Sequence, residues 1–358
     1  MLDPVPFTRS GVDPVSSLEN RRLILLGAGA SVEAGLPTSR MLDAQLRSSN
    51  PVYTAISSLL AEAGLVDFER AVRLLRFLAD LDEPASLSSD VSLMLEGTLQ
   101  EQVLRLAQVP LSKKNLAAEA GDELTRIMGN IRTSLWIDPS EADRVTYLAA
   151  LVQAQFGSTI ATLNYDNTIE LAGGIDHPAI KTSGDHHVGV PPRGPNHVRL
   201  LKLHGSSDWR FYREAVMAGG DPMGLVEYEP AVVIGTGNKL RHYGPFLEIY
   251  RTFRSSMEVA DQLIIIGYGF GDAHINFVLD QVIRERGISG NGLRLDVCLG
   301  PGRSRPPDLV SEWETIADVR LHAMPASSLI RHLFPTAGKL LSPDTRANPS
   351  ATQQSLDL

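Results

Sequence analysis

The stretch Leu201-Lys202-Leu203-His204-Gly205 ends an apolar run that starts at Val198. Short apolar runs that stop at glycine or polar residues are typical of buried strands in a parallel sheet. In such folds, ligands bind just beyond the carboxyl ends of the strands. Three other apolar runs end in the same way, at Gly27-Ala28-Gly29-Ala30-Ser31, Asn164-Tyr165-Asp166 and Gly267-Tyr268-Gly269-Phe270-Gly271-Asp272. The sequence therefore predicts four strand-to-loop junctions at which a ligand would be expected.

Composition narrows the class of protein. A chain of 358 residues is long enough to bury a full core, in one large domain or two. The net charge of −9 argues against a surface that coats nucleic acid, so we expect no direct nucleic-acid contact. The single cysteine, Cys298, excludes an intrachain disulfide and a cysteine-based zinc ribbon. Without a signal-like start or an apolar run of about 18 residues, we expect a cytoplasmic protein with no membrane contact.

The character of the sequence changes along the chain. Segments 21–51 and 157–335 alternate short apolar runs with helical patterns, which predicts an α/β domain with a Rossmann-like, largely parallel sheet. Between them, 52–156 carries leucine and alanine at helical spacing, which predicts an inserted helical module. Residues 1–20 are predicted to form an N-terminal arm, and the polar residues 336–358 a disordered C-terminal tail.

Within the α/β segments the expected elements are specific. Helices are predicted at 245–260 and 272–286, and the segment 173–197, rich in Gly, Pro and His, is predicted to be a loop. The strand candidates are Arg22–Leu26, Ser158–Leu163, Val198–Leu203, Ala231–Ile234, Gln262–Ile266, Leu293–Leu299 and Val319–Ala323.

The first glycine-rich turn has the form that cradles a diphosphate, because glycines let the backbone approach an anion at the start of a helix. A tight strand-to-helix turn without a ligand is the alternative. The turn departs from the dehydrogenase fingerprint, since its third glycine is Gly35 and no acidic strand end follows about twenty residues later. Glu33 is expected to face solvent or a helix N-terminus. The predicted contacts are Gly27, Ala28, Gly29, Ala30, Ser31, Gly35, Leu36 and Pro37.

Three polar positions are candidates for chemistry. His204 lies at a strand end beside a flexible glycine, where it can act as a general base, and the alternative is a satisfied core histidine. Asn164 and Asp166 lie at a second strand end, where an Asx turn that caps the next helix is the alternative. His186-His187 lacks a carboxylate or cysteine partner at ligand spacing, so no metal site is predicted. Ser206-Ser207-Asp208-Trp209 would either wall the cleft or turn the chain.

In chain order, the four motifs resemble the NAD-binding and catalytic elements of the Sir2 (sirtuin-like) family, over about 22–37 and 158–300. The last motif is similar to the Gly-Tyr-Ser-Phe-Gly-Asp-x-His-Ile-Asn stretch of bacterial Sir2-like proteins from phage-defence systems, with Gly269 in place of Ser. The resemblance implies a Sir2 fold that binds NAD. It places Asn164 beside the nicotinamide ribose, Asp166 at the carboxamide and His204 as the base. Further NAD contacts are implied at Gly235, Gly267, Tyr268, Gly269 and Asp272.

The sequence also departs from the protein deacylases of that family. It lacks their two Cys-x-x-Cys pairs, and Thr38-Ser39-Arg40 stands where they carry Asp-Phe-Arg. The resemblance therefore implies an NAD+ hydrolase without zinc, with NAD as its substrate and with nicotinamide and ADP-ribose as products. It further implies an antiphage effector that depletes NAD, a homo-oligomer, and a separate HerA-type DNA translocase ATPase as partner. The alternatives are an NAD-dependent deacylase or ADP-ribosyltransferase, and a non-catalytic sensor of NAD or ADP-ribose.

Overall fold

The computed structural model describes most of the chain. The predicted N-terminal arm, the predicted tail and Gly235 lie outside the described residues. The described ranges are 21–62, 68–79, 116–154, 158–173, 179–182, 185–188, 198–212, 215–218, 230–232, 245–303 and 305–335.

A six-stranded parallel sheet forms the centre of the fold. Its strands are β1 (Arg22–Leu26), β2 (Thr159–Thr162), β5 (Arg199–Lys202), β9 (Gln262–Ile266), β10 (Arg294–Cys298) and β11 (Asp318–His322). They lie in the order β11-β10-β9-β1-β2-β5, with Ile24 in register with both Ile160 and Ile264. The central strands are apolar on both faces because helices cover both sides of the sheet. The predicted Rossmann-like parallel sheet is confirmed.

The strand order locates the ligand-binding edge. From β1 the chain continues to β2 and β5 on one side of the sheet, and later to β9, β10 and β11 on the other. The direction of winding thus reverses between β1 and β9. In open α/β sheets such a switch point, at the carboxyl ends of the strands, is where the loops part to leave a crevice.

Helices pack on both faces of the sheet. The helix Phe246–Val259 illustrates why, because it buries one apolar face whose residues recur at helical spacing, namely Phe246, Ile249, Tyr250, Phe253 and Met257. Within the described ranges, the α-helices are α1 (Ser39–Ser49), α2 (Pro51–Glu62), α3 (Phe68–Ala79), α4 (Leu116–Ser134), α5 (Thr146–Gln153), α6 (Thr168–Gly173), α7 (Phe246–Val259), α8 (Ala273–Ile288), α9 (Asp308–Trp313) and α10 (Ala326–Leu333). Two 3-10 helices cover Ala28–Ala34 and Pro139–Val145.

A second sheet of five antiparallel strands was not expected. It has the order β3-β4-β7-β6-β8 and consists of β3 (Ala179–Thr182), β4 (Asp185–Val188), β6 (Gly205–Tyr212), β7 (Ala215–Met217) and β8 (Pro230–Val232).

This second sheet corrects three predictions. The segment 173–197 is not simply a loop, because it contains the β3–β4 hairpin. Ser206-Ser207-Asp208-Trp209 is part of β6, and all four residues are buried. The strand predicted at Ala231–Ile234 is β8, which pairs with β6 antiparallel and does not join the parallel sheet. Hydrophobic patterns miss such strands because polar residues, here Ser206, Ser207 and Asp208, are buried in them.

The helices between β1 and β2 divide between two hydrophobic cores. Leu46 of α1 packs in one core with apolar residues of α2, α3 and α4, such as Leu75 and Ile127. Leu148 of α5 packs instead in the core beneath the parallel sheet. The domain boundaries at 52 and 156 stay a prediction. Within the part of the chain that the structure describes, no helix combines the length and the apolar character needed to cross a membrane.

Candidate active site

The loops that follow β1 and β9 interlock through their backbones. The backbone N–H of Gly27 donates to Ile266 O at 2.9 Å, and that of Gly29 donates to Gly267 O at 2.9 Å. A Cβ atom on Gly27 would lie 2.6 Å from Tyr268 Cα, and one on Gly29 would lie 2.8 Å from Gly267 Cα. Glycine is therefore required here by the contact between two loops of the chain itself. The two N–H groups are already engaged and do not face an anion.

The glycines of the loop after β9, Gly269 and Gly271, are not required by steric contact. A Cβ atom on Gly269 or Gly271 would meet no described atom within 4 Å, and neither residue has a positive φ. Between them, Phe270 adopts φ +58°, a left-handed conformation that is uncommon for a residue with a side chain. Its ring lies 4.6 Å from that of Tyr268 and 5.9 Å from that of Trp313, measured between centroids. Aromatic packing thus holds an unusual turn whose two glycines border open space.

A buried hydrogen-bond network joins the loops after β1 and β2. Ser31 Oγ donates to Asp166 Oδ2 at 2.7 Å and accepts from Asn164 Nδ2 at 3.0 Å. Asn164 Nδ2 also donates to Gly27 O at 3.1 Å. The structure therefore brings both predicted residues of the Asn-Tyr-Asp motif to the serine of the first turn.

Asp166 also has a structural role. Its Oδ1 accepts from the Thr168 backbone N–H at 3.1 Å and from Thr168 Oγ1 at 2.6 Å, which caps the start of α6. The Asx-turn alternative is therefore present alongside the contact with Ser31. Lys202, which sequence reasoning did not single out, is fully buried and donates to Asp166 O at 2.5 Å and to Glu170 Oε1 at 2.7 Å. Its position in an apolar run just before His204 was the available signal.

His204 pairs with Asp272. Its Nε2 lies 2.8 Å from Asp272 Oδ2, and both side chains are buried. The ring of Tyr165 lies 6.2 Å from that of His204, between centroids. The loops after β5 and β9 therefore meet across the ends of β1 and β2. Asp272 was predicted as an NAD contact and a helix cap. The cap is present, and the pairing with His204 is a contact that the sequence did not predict.

The site is shielded from solvent in this structure. Asn164, Asp166 and His204 are only 7%, 6% and 4% exposed.

Two tyrosines near Asp272 remain neutral. Burial, together with the negative charge of Asp272, raises the pKa of Tyr250 and of Tyr268 well above the ordinary value. Glu69 of α3 raises both as well, so the helical module lies within electrostatic reach of the site. The Tyr250 hydroxyl is buried and has no hydrogen-bond partner among the described residues.

The end of the first turn is held from outside the site. Gly35 adopts φ +79° after the 3-10 helix, and a Cβ atom there would lie 2.8 Å from the Arg144 guanidinium. Arg144 Nε donates to Ala34 O at 2.8 Å. Glu33 Oε1 accepts from the Ser327 backbone N–H at 2.9 Å, at the start of α10, as expected for a residue that faces a helix N-terminus. These contacts fix the 3-10 helix that carries Ser31.

Among the described residues, no three His, Cys, Asp or Glu side chains come together as a potential metal site. His186 and His187 lie on β4, within the second sheet.

The parallel sheet, its switch point and the polar residues at its carboxyl edge define a Rossmann-like α/β protein with a buried polar site. A family model described as SIR2-like domain matches residues 158–295, the part of the chain that carries Asn164, Asp166, His204 and Asp272. This match supports a relation to the Sir2 family.

Solved structures of Sir2 proteins are similar over most of the chain. A Sir2 homologue mutant in complex with 2'-O-acetyl-ADP-ribose is 14% identical, with a TM-score of 0.45, over 90% of this chain and 94% of that one. A second Sir2 homologue mutant, in complex with ADP-ribose, is 16% identical, with a TM-score of 0.42, over 91% and 95%. Sir2 with a p53 peptide and NAD+ is 13% identical, with a TM-score of 0.38, over 89% and 94%. At these values no activity or site residue is transferred to this chain. A comparison with curated proteins found no match.

Proposed function

We propose that this chain is an NAD+ hydrolase, which cleaves the nicotinamide–ribose bond to give nicotinamide and ADP-ribose. The observation that carries the proposal is the convergence of Asn164, Asp166 and His204 at the carboxyl ends of β2 and β5, beside the switch point of the sheet. The SIR2-like domain match over 158–295 supports NAD as the substrate class.

The residues present fit a dinucleotide. The open space beside Gly269 and Gly271 lets a ligand approach the backbone of the late loop closely. The buried hydroxyl of Tyr250 offers a hydrogen bond that no described residue takes up. We assign the diphosphate and adenosine portions of NAD to the loop after β9, where Gly269 and Gly271 border open space, and the nicotinamide ribose to Asn164 and His204.

The bond of NAD that breaks joins ribose C1' to the nicotinamide ring nitrogen. His204 accepts a proton from water as the water oxygen bonds to C1', and passes that proton to solvent. Nicotinamide leaves with the electron pair of the broken bond and becomes neutral. Asn164 and Asp166 hold the ribose and the carboxamide in place, anchored through Ser31 to the first turn.

The burial of the site supports regulation of this activity. An NAD hydrolase that is always active would harm its own cell, and a closed site keeps basal turnover low. We propose that the chain is an antiphage effector, that it forms a homo-oligomer, and that a HerA-type ATPase opens the site. These biological roles rest on the resemblance of the sequence motifs.

The test is release of nicotinamide from NAD by the purified full chain, alone and with a HerA-type ATPase, measured by liquid chromatography. We expect release by the wild type and a loss of about 100-fold or more in His204→Ala. Release that needs an acetylated peptide would indicate a deacylase instead. Binding of NAD without any release would indicate a sensor, and equal release by His204→Ala would rule out this site.

A further inference from the structure

We propose that Asp272 is a positioning residue, which fixes the orientation and tautomer of His204 so that Nδ1 is the nitrogen that accepts the proton. This inference rests on the proposed NAD hydrolysis and assigns Asp272 a role other than contact with NAD. It follows from how the carboxylate is held, what it contacts and what the imidazole can then do.

The Asp272 carboxylate is held by the helix that it caps. Its Oδ1 accepts from the backbone N–H groups of His274 at 2.9 Å and Ile275 at 3.2 Å. Its Oδ2 lies 2.8 Å from His204 Nε2. Both oxygens therefore have partners within the protein, and the cap fixes the direction in which Oδ2 points.

The loop before Asp272 is also braced. The Tyr268 hydroxyl accepts from the Asp272 backbone N–H at 3.3 Å and donates to Asn276 Oδ1 at 2.8 Å. Asn276 Nδ2 in turn donates to Phe270 O at 2.8 Å. These hydrogen bonds connect the loop after β9 to the first turn of α8. The Asp272 carboxylate is therefore positioned by a rigid element.

The pairing determines the tautomer of His204. A carboxylate accepts hydrogen bonds and donates none, so the proton between the two groups belongs to Nε2. In the neutral imidazole the lone pair then lies on Nδ1. Among the described residues, the groups near the pair include Tyr165, at 6.2 Å from His204 between ring centroids, and the neutral phenols of Tyr250 and Tyr268, whose pKa values both Asp272 and Glu69 of α3 raise.

The kinetic test uses Asp272→Asn, because asparagine caps a helix as well as aspartate does and the fold should be retained. An amide can donate to the histidine, which permits the wrong tautomer, so we expect kcat to fall about 10²- to 10⁴-fold. We expect KM for NAD to change less than about threefold, since the carboxylate already has protein partners. A raised KM with kcat intact would mean that Asp272 contacts NAD, and would overturn the proposal.

Asp138→Asn is the matched control. Asp138 also caps a helix, accepting from the Ser140 backbone N–H at 2.8 Å, but it is exposed on the 3-10 helix Pro139–Val145. The same substitution there should leave kcat and KM unchanged. A fall in kcat in both variants would show a general effect of altered caps and would contradict a specific role for Asp272.

A spectroscopic readout separates this inference from the proposed function. The ¹⁵N shifts of the imidazoles in the full chain report the tautomer directly, with the His204 signals assigned by their absence in His204→Ala. We expect the Nε2–H form in the wild type and a changed tautomer in Asp272→Asn. An Nδ1–H form in the wild type, or identical spectra, would overturn the positioning role even if NAD is hydrolysed. Absence of nicotinamide release with the expected spectra would overturn only the proposed function.

Discussion

Two His–Asp pairs in this fold have the same local chemistry but different surroundings. His204 Nε2 lies 2.8 Å from Asp272 Oδ2, and His322 Nε2 lies 2.8 Å from Asp296 Oδ1. All four side chains are buried or nearly so. Neither the distance nor the burial distinguishes a catalytic pair from a structural one.

The surroundings separate them. Asp296 and His322 lie on adjacent strands, β10 and β11, and the other oxygen of Asp296 accepts from Gln262 Nε2 of β9 at 2.6 Å. That pair ties three neighbouring strands together at one side of the sheet. The other pair joins the loops after β5 and β9, which are separated by β1 and β2 in the sheet. It lies beside the switch point of the sheet, where the polar loops converge, and for that reason we propose it as the functional pair.

The largest difference in activity is expected between variants of two asparagines, Asn164 in the candidate site and Asn167 outside it. Asn164→Ala removes the bonds to Ser31 and Gly27 O, and we expect nicotinamide release to fall about 100-fold or more. Asn167 instead holds the backbone of Ile137 by two hydrogen bonds, at 3.0 and 2.8 Å. Asn167→Ala should lower the free energy of unfolding by about 2–3 kcal/mol and leave turnover within about threefold.

Equal loss of activity in the two asparagine variants would break the distinction between the site and the scaffold. The comparison requires the rate of nicotinamide release and the free energy of unfolding in urea, both measured for each purified variant.

The second pair, His322–Asp296, should contribute to the stability of the fold. Asp296→Ala leaves His322 and Gln262 without the buried carboxylate that both contact, so we expect a loss of about 2–4 kcal/mol in the free energy of unfolding. Asp272→Asn keeps its helix cap and should cost less than about 1 kcal/mol. Denaturant titration followed by circular dichroism compares them, and the reverse order of stability would contradict the assignment.

The glycines provide a smaller contrast. Gly29→Ala places a methyl group 2.8 Å from Gly267 Cα, which should destabilise the fold by about 1–3 kcal/mol. Gly269→Ala meets no described atom within 4 Å, so the stability should change by less than about 0.5 kcal/mol. If NAD packs against the late loop, Gly269→Ala should still weaken NAD binding, measured by calorimetry. Unchanged affinity would place the ligand elsewhere.

The smallest effect concerns Cys298, at the end of β10. Burial raises the pKa of its thiol, so the reactive thiolate is scarce near neutral pH. We expect negligible labelling by a thiol reagent in the native protein and complete labelling in denaturant. Rapid native labelling would show that this side of the sheet, which also holds Asp296 and His322, opens readily.

The strands of the parallel sheet were predictable because they are short and apolar on both faces. Runs such as Leu-Ile-Leu-Leu at the end of β1 and Leu-Ile-Ile-Ile in β9 leave few alternatives once glycine follows. The second sheet was not predictable in the same way. Ser206, Ser207 and Asp208 are polar, yet they lie buried in β6, since their environment is set by distant segments.

The sequence indicated candidate residues for the site, but it did not indicate the contacts between them. Strand ends indicated Asn164, Asp166 and His204, because ligands bind at that edge of a parallel sheet. The pairing of His204 with Asp272 spans loops that are not adjacent in the sheet, so no spacing in the sequence encodes it. The glycines of the first turn were predicted from an anion-binding pattern, whereas steric contact with Gly267 and Tyr268 already requires two of them.

The most direct measurement compares nicotinamide release by the wild type, His204→Ala and His322→Ala, with the unfolding of each variant followed in parallel. We predict that His204→Ala loses about 100-fold or more of the activity while staying folded, because the His204–Asp272 pair lies beside the switch point of the sheet, where the loops after β5 and β9 meet. We predict that His322→Ala keeps its activity within about threefold and loses about 2 kcal/mol of stability. Equal loss of activity in both variants, or release that persists in His204→Ala, would contradict the account.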